Sequence, residues 1–244
     1  MSKALYIVLI LILSISITSA QWVFDKDFVK KPQPHGIVVD PAGKIWIGYY
    51  SYTDTIKNAA GADVPVAPIW VYDNVNDTDP TLVTFLTING RTDTLNFYCR
   101  GLSLDNNGNV LFSGSQVLYR INYRTLEGMT KYLHPATGSL TKAACDANGY
   151  VYITKVVPGG TPLVILDTNF QFYSNVLDFC NTIQRSVLVS PDGKDVYIGT
   201  IYSGRNGVRH YHSDDGPDGI YAFVDTLGTT LTKVMWAQCL DWDP

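Results

Sequence analysis

The chain has little charge and no clear helical signal. Charged residues make up 16% of the sequence and the formal net charge is −4, a balance that argues against a nucleic-acid-binding surface. No window shows sustained helical periodicity of apolar side chains, so we expect essentially no helix. The motifs of a nucleophile elbow, a phosphate-binding glycine loop, a zinc-protease helix and a Cys-x-x-Cys pair are also missing. The sequence therefore carries no motif that identifies an enzyme, although it does not exclude enzyme chemistry.

A long apolar run occurs only at the N-terminus. A basic start ends at Lys3, residues 4–17 are nearly all apolar, and Thr18-Ser-Ala20 supplies small residues for cleavage. This pattern predicts a signal peptide over 1–20 and an exported domain over 21–244, which is secreted, periplasmic or on the cell surface. No membrane contact is expected after cleavage. An uncleaved anchor is the alternative, although no stop-transfer charges follow the run.

Cysteine is scarce, with four residues in the whole chain. In an exported protein they allow two disulfides with three connectivities. Small buried thiols are the alternative, and the spacing does not decide between them. The four positions are Cys99, Cys145, Cys180 and Cys239.

A short pattern recurs four times along the remaining sequence. An apolar run leads to Asp or Ser, then to two turn residues and Gly, and then to a second apolar run; the copies cover residues 36–47, 101–112, 143–153 and 186–198. The glycines are Gly43, Gly108, Gly149 and Gly193, which are 65, 41 and 44 residues apart. We expect positive φ at these glycines. A period of about forty residues, carried by strand–turn–strand units, is typical of β-propeller blades.

The predicted fold class is therefore all-β, a β-propeller of four-stranded antiparallel blades. Four blades are recognisable, at about 33–90, 97–135, 139–178 and 182–236, and 237–244 resembles the start of a further blade. In the first blade we predict an outer strand over 82–88, and in the fourth blade strands over 196–201, 220–224 and 231–236. We expect a chain that is C-terminally truncated relative to a closed ring. The alternative is a four-bladed ring closed by a lone strand over 22–28.

Strand direction predicts where a binding site would lie. The start of each inner strand and the loop between the second and third strands share one face of a propeller, and long insertions on one face mark binding. Two such loops are long, at 51–68 and 202–219. One residue lies five positions before each turn Asp or Ser, at the start of an inner strand. These residues are His35, Arg100, Thr141, Arg185 and Gln238, and Lys142 is adjacent to Thr141.

These residues predict a polar, cationic funnel at the mouth of the channel. His35, Arg100, Lys142, Arg185 and Gln238 would there bind an anionic or carbonyl-bearing ligand, because arginine presents a two-pronged donor. The alternative is that they only solvate the channel and cap neighbouring loops.

Two further clusters have ligand-like chemistry. In an extended segment His210, His212 and Asp214 project to one side and form a candidate set for a divalent metal such as zinc. An acidic turn at 73–79 is a weaker candidate for calcium, since it lacks the order of ligands in an EF-hand loop. An ordinary loop and a solvated turn are the respective alternatives.

Residues 34–47, Pro-His-Gly-Ile-Val-Val-Asp-Pro-Ala-Gly-Lys-Ile-Trp-Ile, resemble the repeats of NHL-type propellers. The segment is also similar to the streptogramin-lyase and gluconolactonase (senescence-marker) superfamily of six-bladed propellers, and the resemblance covers about residues 33–236. Lyases of this group use a channel-facing histidine, for which His35 is the positional match, so the resemblance implies a catalytic role for His35. Many NHL-like domains instead bind proteins or glycans.

Two functional hypotheses follow. The first is an exported binding module whose channel mouth and long loops hold a small anionic molecule, a glycan or a protein. The alternative is a metal-assisted hydrolase or lyase, using calcium or zinc, that acts on a small lactone or sugar acid. In that case His35 is the acid–base group, and Arg100 and Arg185 hold an oxyanion or carboxylate.

Overall fold

Nearly all of the described chain is β-strand. The computed structural model describes residues 27–28, 33–135, 138–156, 163–176, 183–201, 207–227 and 240–241. The chain divides into two compact units, Met1–Lys30 and Lys31–Pro244, and the strands belong to the second. The predicted signal peptide, Gln238 and most of the predicted strand over 22–28 lie outside the described residues.

Within the described ranges the structure has twenty strands and one short 3-10 helix, at Gly216–Asp218. In chain order the strands are β1 (Pro34–Val39), β2 (Ile45–Tyr49), β3 (Asp54–Lys57), β4 (Asp63–Val66), β5 (Ile69–Tyr72), β6 (Thr81–Val83), β7 (Phe85–Ile88), β8 (Arg91–Thr94), β9 (Gly101–Leu104), β10 (Val110–Gly114), β11 (Val117–Ile121), β12 (Gly128–Leu133), β13 (Leu140–Cys145), β14 (Val151–Lys155), β15 (Leu163–Leu166), β16 (Phe172–Val176), β17 (Gln184–Val189), β18 (Asp195–Thr200), β19 (Gly207–His212) and β20 (Ala222–Leu227). No helix in these ranges is long and apolar enough to cross a membrane.

The strands form four four-stranded sheets and two hairpins. The sheet orders are β1-β2-β5-β6, β9-β10-β11-β12, β13-β14-β15-β16 and β17-β18-β19-β20, and the hairpins are β3-β4 and β7-β8. Neighbouring strands are antiparallel throughout, as between β1 and β2. These sheets confirm the predicted fold class, an all-β chain of β-propeller type with four-stranded antiparallel blades.

The first strand of each sheet lies on a common channel. β9 contacts β1 on one side and β13 on the other, and β13 contacts β17. Residues of all four inner strands line one cavity of about 320 Å³, together with Leu240 and Asp241. Neighbouring blades pack through apolar faces, as where Trp46 of the first blade joins Phe112 of the second. The blades therefore follow one another in chain order around the channel.

The predicted turn after each inner strand is present in all four blades. The turn glycines have positive φ, at 84° for Gly43, 79° for Gly108, 95° for Gly149 and 75° for Gly193. In the first blade, Asp40 Oδ1 accepts hydrogen bonds from the backbone N–H groups of Ala42 at 2.9 Å and Lys44 at 3.0 Å. The second oxygen, Asp40 Oδ2, accepts a bond of 2.8 Å from the buried Trp46 indole. One carboxylate thus fixes the turn and anchors the blade core.

Two strand predictions are wrong. The segment 207–212, predicted as loop, is β19, the third strand of the fourth sheet, and the fourth strand begins at Ala222. The second long loop, predicted over 202–219, is therefore not a single loop. The sequence does not indicate this strand, because most of its residues are polar and Tyr211 is its one large buried side chain. In the first blade, the strand predicted to end at Ile88 is broken into β6 and β7, which join different sheets. The strand predicted over 231–236 lies outside the described residues.

Two of the cysteines are free thiols. Cys99 is buried and Cys145 is half-buried, and neither forms a disulfide. Burial raises the pKa of each thiol to about 12, so both are protonated at neutral pH. Cys180 and Cys239 lie outside the described residues, and a disulfide between that pair stays a prediction.

Replacing Asp40 tests the role of the turn carboxylate. In Asp40→Ala both turn bonds are lost and the Trp46 indole N–H is left buried without its acceptor. We expect the free energy of unfolding to fall by about 2–4 kcal/mol, measured by urea denaturation followed by tryptophan fluorescence.

Asp167→Ala is the matched control. Asp167 accepts the same two backbone bonds in the β15–β16 turn, at 2.9 Å from Asn169 N and 2.8 Å from Gln171 N, but these bonds are exposed. This variant should lose about 1 kcal/mol. Equal losses in the two variants would show that the buried bond to Trp46 contributes nothing.

Candidate functional site

Four of the predicted funnel residues lie around one cavity. His35 comes from β1, Arg100 directly precedes β9, Lys142 comes from β13 and Arg185 from β17. Together with Gly36, Ile37, Gly101 and Leu102 they line a cavity of about 280 Å³. We call this cavity, with His35, Arg100, Lys142 and Arg185, the channel mouth. Thr141 turns away from it, since its hydroxyl is hydrogen-bonded to that of Thr154 at 2.7 Å in the buried interior.

Close backbone packing brings the side chains together. A Cβ atom on Gly101 would lie 2.4 Å from the carbonyl oxygen of Thr141, which is closer than any side chain tolerates. Glycine therefore lets β9 approach β13 at the level of the mouth. This approach sets Arg100 beside Lys142 of the next blade.

An aromatic cluster supports the cationic side chains. The Arg100 guanidinium lies 4.3 Å from the centre of the Tyr50 ring, and the His35 ring lies 5.2 Å from the same ring. Tyr98 packs on Tyr50 at 5.1 Å and on Tyr52 at 4.7 Å between ring centres. Sequence reasoning missed this cluster. Its signal was the run of tyrosines from Tyr49 to Tyr52 and a tyrosine two residues before Arg100.

The two arginines carry charge that the described chain does not neutralise. Neither Arg100 nor Arg185 forms a salt bridge with a described residue, and Arg185 Nε is buried without a hydrogen-bond partner there. Burial and then the charge of Arg100 lower the pKa of Arg185, although a guanidinium stays protonated at any physiological pH. Arg120 differs from both, because its Nε lies 3.0 Å from Asp105 Oδ2 and its charge is therefore paired with a carboxylate. The mouth therefore holds two partly buried guanidinium groups whose charge no described carboxylate compensates.

The groups around His35 favour the neutral form of its ring. Burial lowers its pKa below the ordinary 6.5, and the charges of Arg185 and Arg100 lower it further. A hydrogen bond with the backbone of Arg100 acts in the opposite direction but is the smallest of these effects. A neutral imidazole can accept a proton or donate one hydrogen bond. The mouth thus combines one proton acceptor with the positive charges of Arg100 and Arg185.

The remaining predicted elements lie elsewhere. The long loop of the first blade carries the hairpin β3-β4, and Tyr52 at its start donates to the backbone oxygen of Asn96 at 3.3 Å. Leu240 is connected to the mouth, because its backbone oxygen accepts a hydrogen bond of 3.2 Å from Lys142 Nζ. The acidic turn is internally bonded: the Asp77 carboxylate accepts the backbone N–H groups of Asp73 and Asp79.

The predicted metal ligands lie on the fourth blade and not at the mouth. His210 Nε2 lies 2.7 Å, and His212 Nδ1 2.9 Å, from Asp195 Oδ1, and His212 Nε2 lies 3.3 Å from Asp214 Oδ1. Asp195, which sequence reasoning missed, is thus their shared partner. Among the residues that the structure describes, no three His, Cys, Asp or Glu side chains are arranged to hold a metal ion. The metal site at His210, His212 and Asp214 gains no support and stays a prediction.

Comparison with known proteins identifies no family. No family matches the chain, and no curated protein matches it. A solved structure from Bacteroides fragilis, described as a candidate 6-phosphogluconolactonase, is similar with a TM-score of 0.47 and 14% identity, over 81% of this chain and 72% of that one. A likeness at this level carries no argument about the activity of this chain.

Removing one arginine charge tests the electrostatics of the mouth. In Arg185→Met the pKa of His35 should rise, because the second-largest cause of its depression is removed while burial remains. The measurement is a pH titration of the histidine ring resonances by NMR, with the His35 signal assigned from His35→Gln.

Arg124→Met is the control for a general charge effect, since Arg124 is exposed and packs on Tyr123 away from the mouth. The pKa of His35 should not move in that variant. If Arg185→Met also leaves it unmoved, the two side chains do not share a site.

Proposed function

We propose that this protein binds a small anionic molecule at the channel mouth. The observation that carries the proposal is the pair Arg100 and Arg185, two partly buried guanidinium groups without a carboxylate partner among the described residues. Burying like charges is unfavourable unless a counter-charge is supplied. An anion between the two arginines provides that counter-charge and receives charge-assisted, two-pronged hydrogen bonds.

The surroundings favour a carbohydrate acid or a sugar phosphate. The cavity of about 280 Å³ suits a small ligand, and Tyr50, Tyr52 and Tyr98 form an aromatic wall beside the cations. Aromatic rings offer an apolar face with polar tips, which suits the face of a sugar ring. Carboxylate and phosphate share the chemistry that two arginines recognise, so both ligand types are covered by the proposal.

We also propose that the protein is exported and that its repeats are of NHL or gluconolactonase type. The basic start, the apolar run and the small residues before position 21 support export, with the ligand met outside the cytoplasm. The Pro34 to Ile47 segment supports repeats of NHL or gluconolactonase type.

A second candidate function is hydrolysis of a small lactone. The observation that favours it is a neutral His35 beside two arginines. His35 would take a proton from water while the water oxygen attacks the lactone carbonyl carbon. Arg100 and Arg185 would stabilise the oxyanion. The ring C–O bond then breaks, and its oxygen takes the proton back from the imidazolium.

The metal-assisted form of this reaction has weaker support. Among the described residues of the mouth, His35 is the single His, Cys, Asp or Glu side chain. Calcium prefers six to eight oxygen ligands and zinc about four ligands of nitrogen, sulfur or oxygen. His35 alone would give either ion at most one ligand, so the proposed hydrolysis uses no metal.

Binding is tested by calorimetry with D-gluconate, with inorganic phosphate as a second anion and neutral D-glucose as the matched ligand control. Gluconate should bind more tightly than glucose. Arg185→Met and Arg100→Met should each raise its Kd about tenfold or more, since a hydrogen bond to a charged group is lost. Arg124→Met should leave the Kd unchanged. If gluconate and phosphate bind no better than glucose, or if the two mouth variants bind gluconate like the unmodified protein, the proposal is wrong.

Activity is tested separately with glucono-δ-lactone in a pH-stat, after subtraction of hydrolysis in buffer. A general base is active in its neutral form, so the rate should rise with pH through the pKa of His35 and reach half its maximum below pH 6.5. His35→Gln should abolish the catalysed rate while gluconate binding persists. Full binding without any catalysed rate would assign the protein to the binding class alone.

A further inference from the structure

A second cavity lies between the second and third blades. It has a volume of about 550 Å³ and is lined by residues that end β12, by the last residue of β14 and by side chains of β15 and β16. We call it the interblade groove; its main lining residues are Leu133, His134, Pro135, Lys155, Val164 and Phe172. None of them belongs to the channel mouth. The interblade groove is therefore separate from the proposed anion site.

One nitrogen of the His134 ring lacks a partner in the described chain. His134 is only 9% exposed, and its ring Nε2 is buried without a hydrogen-bond partner. Its Nδ1 lies 3.3 Å from the Tyr132 hydroxyl. With Tyr132 as the donor, the hydrogen of a neutral ring lies on Nε2. The His134 ring lines the cavity, and its buried Nε2–H group has no acceptor among the described residues, which is unfavourable.

Lys155 adds an uncompensated cation. Burial lowers the pKa of Lys155, and no described carboxylate forms an ion pair with its ammonium group. Its charge also lowers the pKa of His134, after burial, and the two residues line the same cavity. The histidine is therefore neutral, and the groove carries one positive charge beside one N–H donor.

A cavity of about 500 Å³ between the β7-β8 hairpin and the second blade also contains a lysine. There Lys131 Nζ lies 2.5 Å from Asp93 Oδ2, and the Tyr119 hydroxyl donates to the same oxygen at 2.9 Å. The chain itself supplies the carboxylate that neutralises that lysine. Lys155 of the interblade groove has no such partner among the described residues.

The walls of the interblade groove are apolar and partly open to water. Leu133 is 63% exposed and Phe172 is 54% exposed, while Val164 forms a buried floor. Covering such side chains with an apolar ligand is favourable, because apolar surface is removed from water. These features of the groove fit one class of ligand, which has an apolar body and a single negatively charged group.

We propose that the interblade groove binds a monocarboxylate with an aliphatic or aromatic body. Its carboxylate contacts the Lys155 ammonium and the His134 N–H, and its body lies against Leu133, Val164 and Phe172. A monoanion fits better than a phosphate dianion, since the groove offers one full positive charge to compensate one negative charge.

The probe is 4-phenylbutyrate, with 4-phenylbutanamide as a neutral ligand of the same shape, and affinities are measured by calorimetry on the full chain. The acid should bind more tightly than the amide by about tenfold. Lys155→Met, which keeps the length of the side chain, should remove this difference and leave amide binding unchanged. Phe172→Ala should weaken both ligands, because it removes the shared apolar wall.

Two control variants locate the probe. Lys44→Met removes an exposed ion pair with Asp73 and should leave acid binding unchanged, as should Arg124→Met, which removes an exposed arginine that packs on Tyr123. Thermal unfolding of each variant checks that it folds, and His134→Gln is the second variant if Lys155→Met does not. The proposal is overturned if acid and amide bind equally, if neither binds at about 1 mM, or if Lys155→Met binds the acid like the unmodified protein.

Discussion

The arrangement of this protein depends on a hydrogen-bonded turn after the first strand of every blade. A side-chain oxygen of Asp40, Asp105, Asp146 or Ser190 accepts backbone N–H groups of the turn or of the strand that follows it. That contact holds the inner strand in register with the second strand. The residues five positions earlier in each inner strand are then level with one another around the channel. His35, Arg100 and Arg185 form one mouth because, in each of their three blades, the same turn fixes how the first strand pairs with the second.

Local chemistry explains how much of this could be predicted. An Asp or Ser followed by a glycine three residues later specifies a turn within a few residues, so the blades and the level of the mouth could be predicted from the sequence. The tyrosine cluster joins Tyr50 to Tyr98 across two blades, and the sequence gives no distance between blades. Strand β19 was missed because its polar residues, His210 among them, resemble a loop. The interblade groove exists only through packing of β12 against the third blade, which no local pattern encodes.

The electrostatics separate structural cations from those available to a ligand. Arg120 and Lys131 are paired with Asp105 and Asp93, and such pairs leave no charge for an external partner. Arg100, Arg185 and Lys155 have no described carboxylate partner, and burial lowers the pKa of the last two. Keeping such groups charged and partly buried is unfavourable for folding. A bound anion offsets that cost, which is the common physical basis of both proposed sites.

The most direct test of this account is a crystal structure of the protein grown with D-gluconate. We expect a carboxylate at the channel mouth with oxygen atoms at about 2.7–3.2 Å from the guanidinium nitrogens of both Arg100 and Arg185. Water alone between the two arginines, or gluconate bound only at other surfaces, would show that the mouth does not bind an anion.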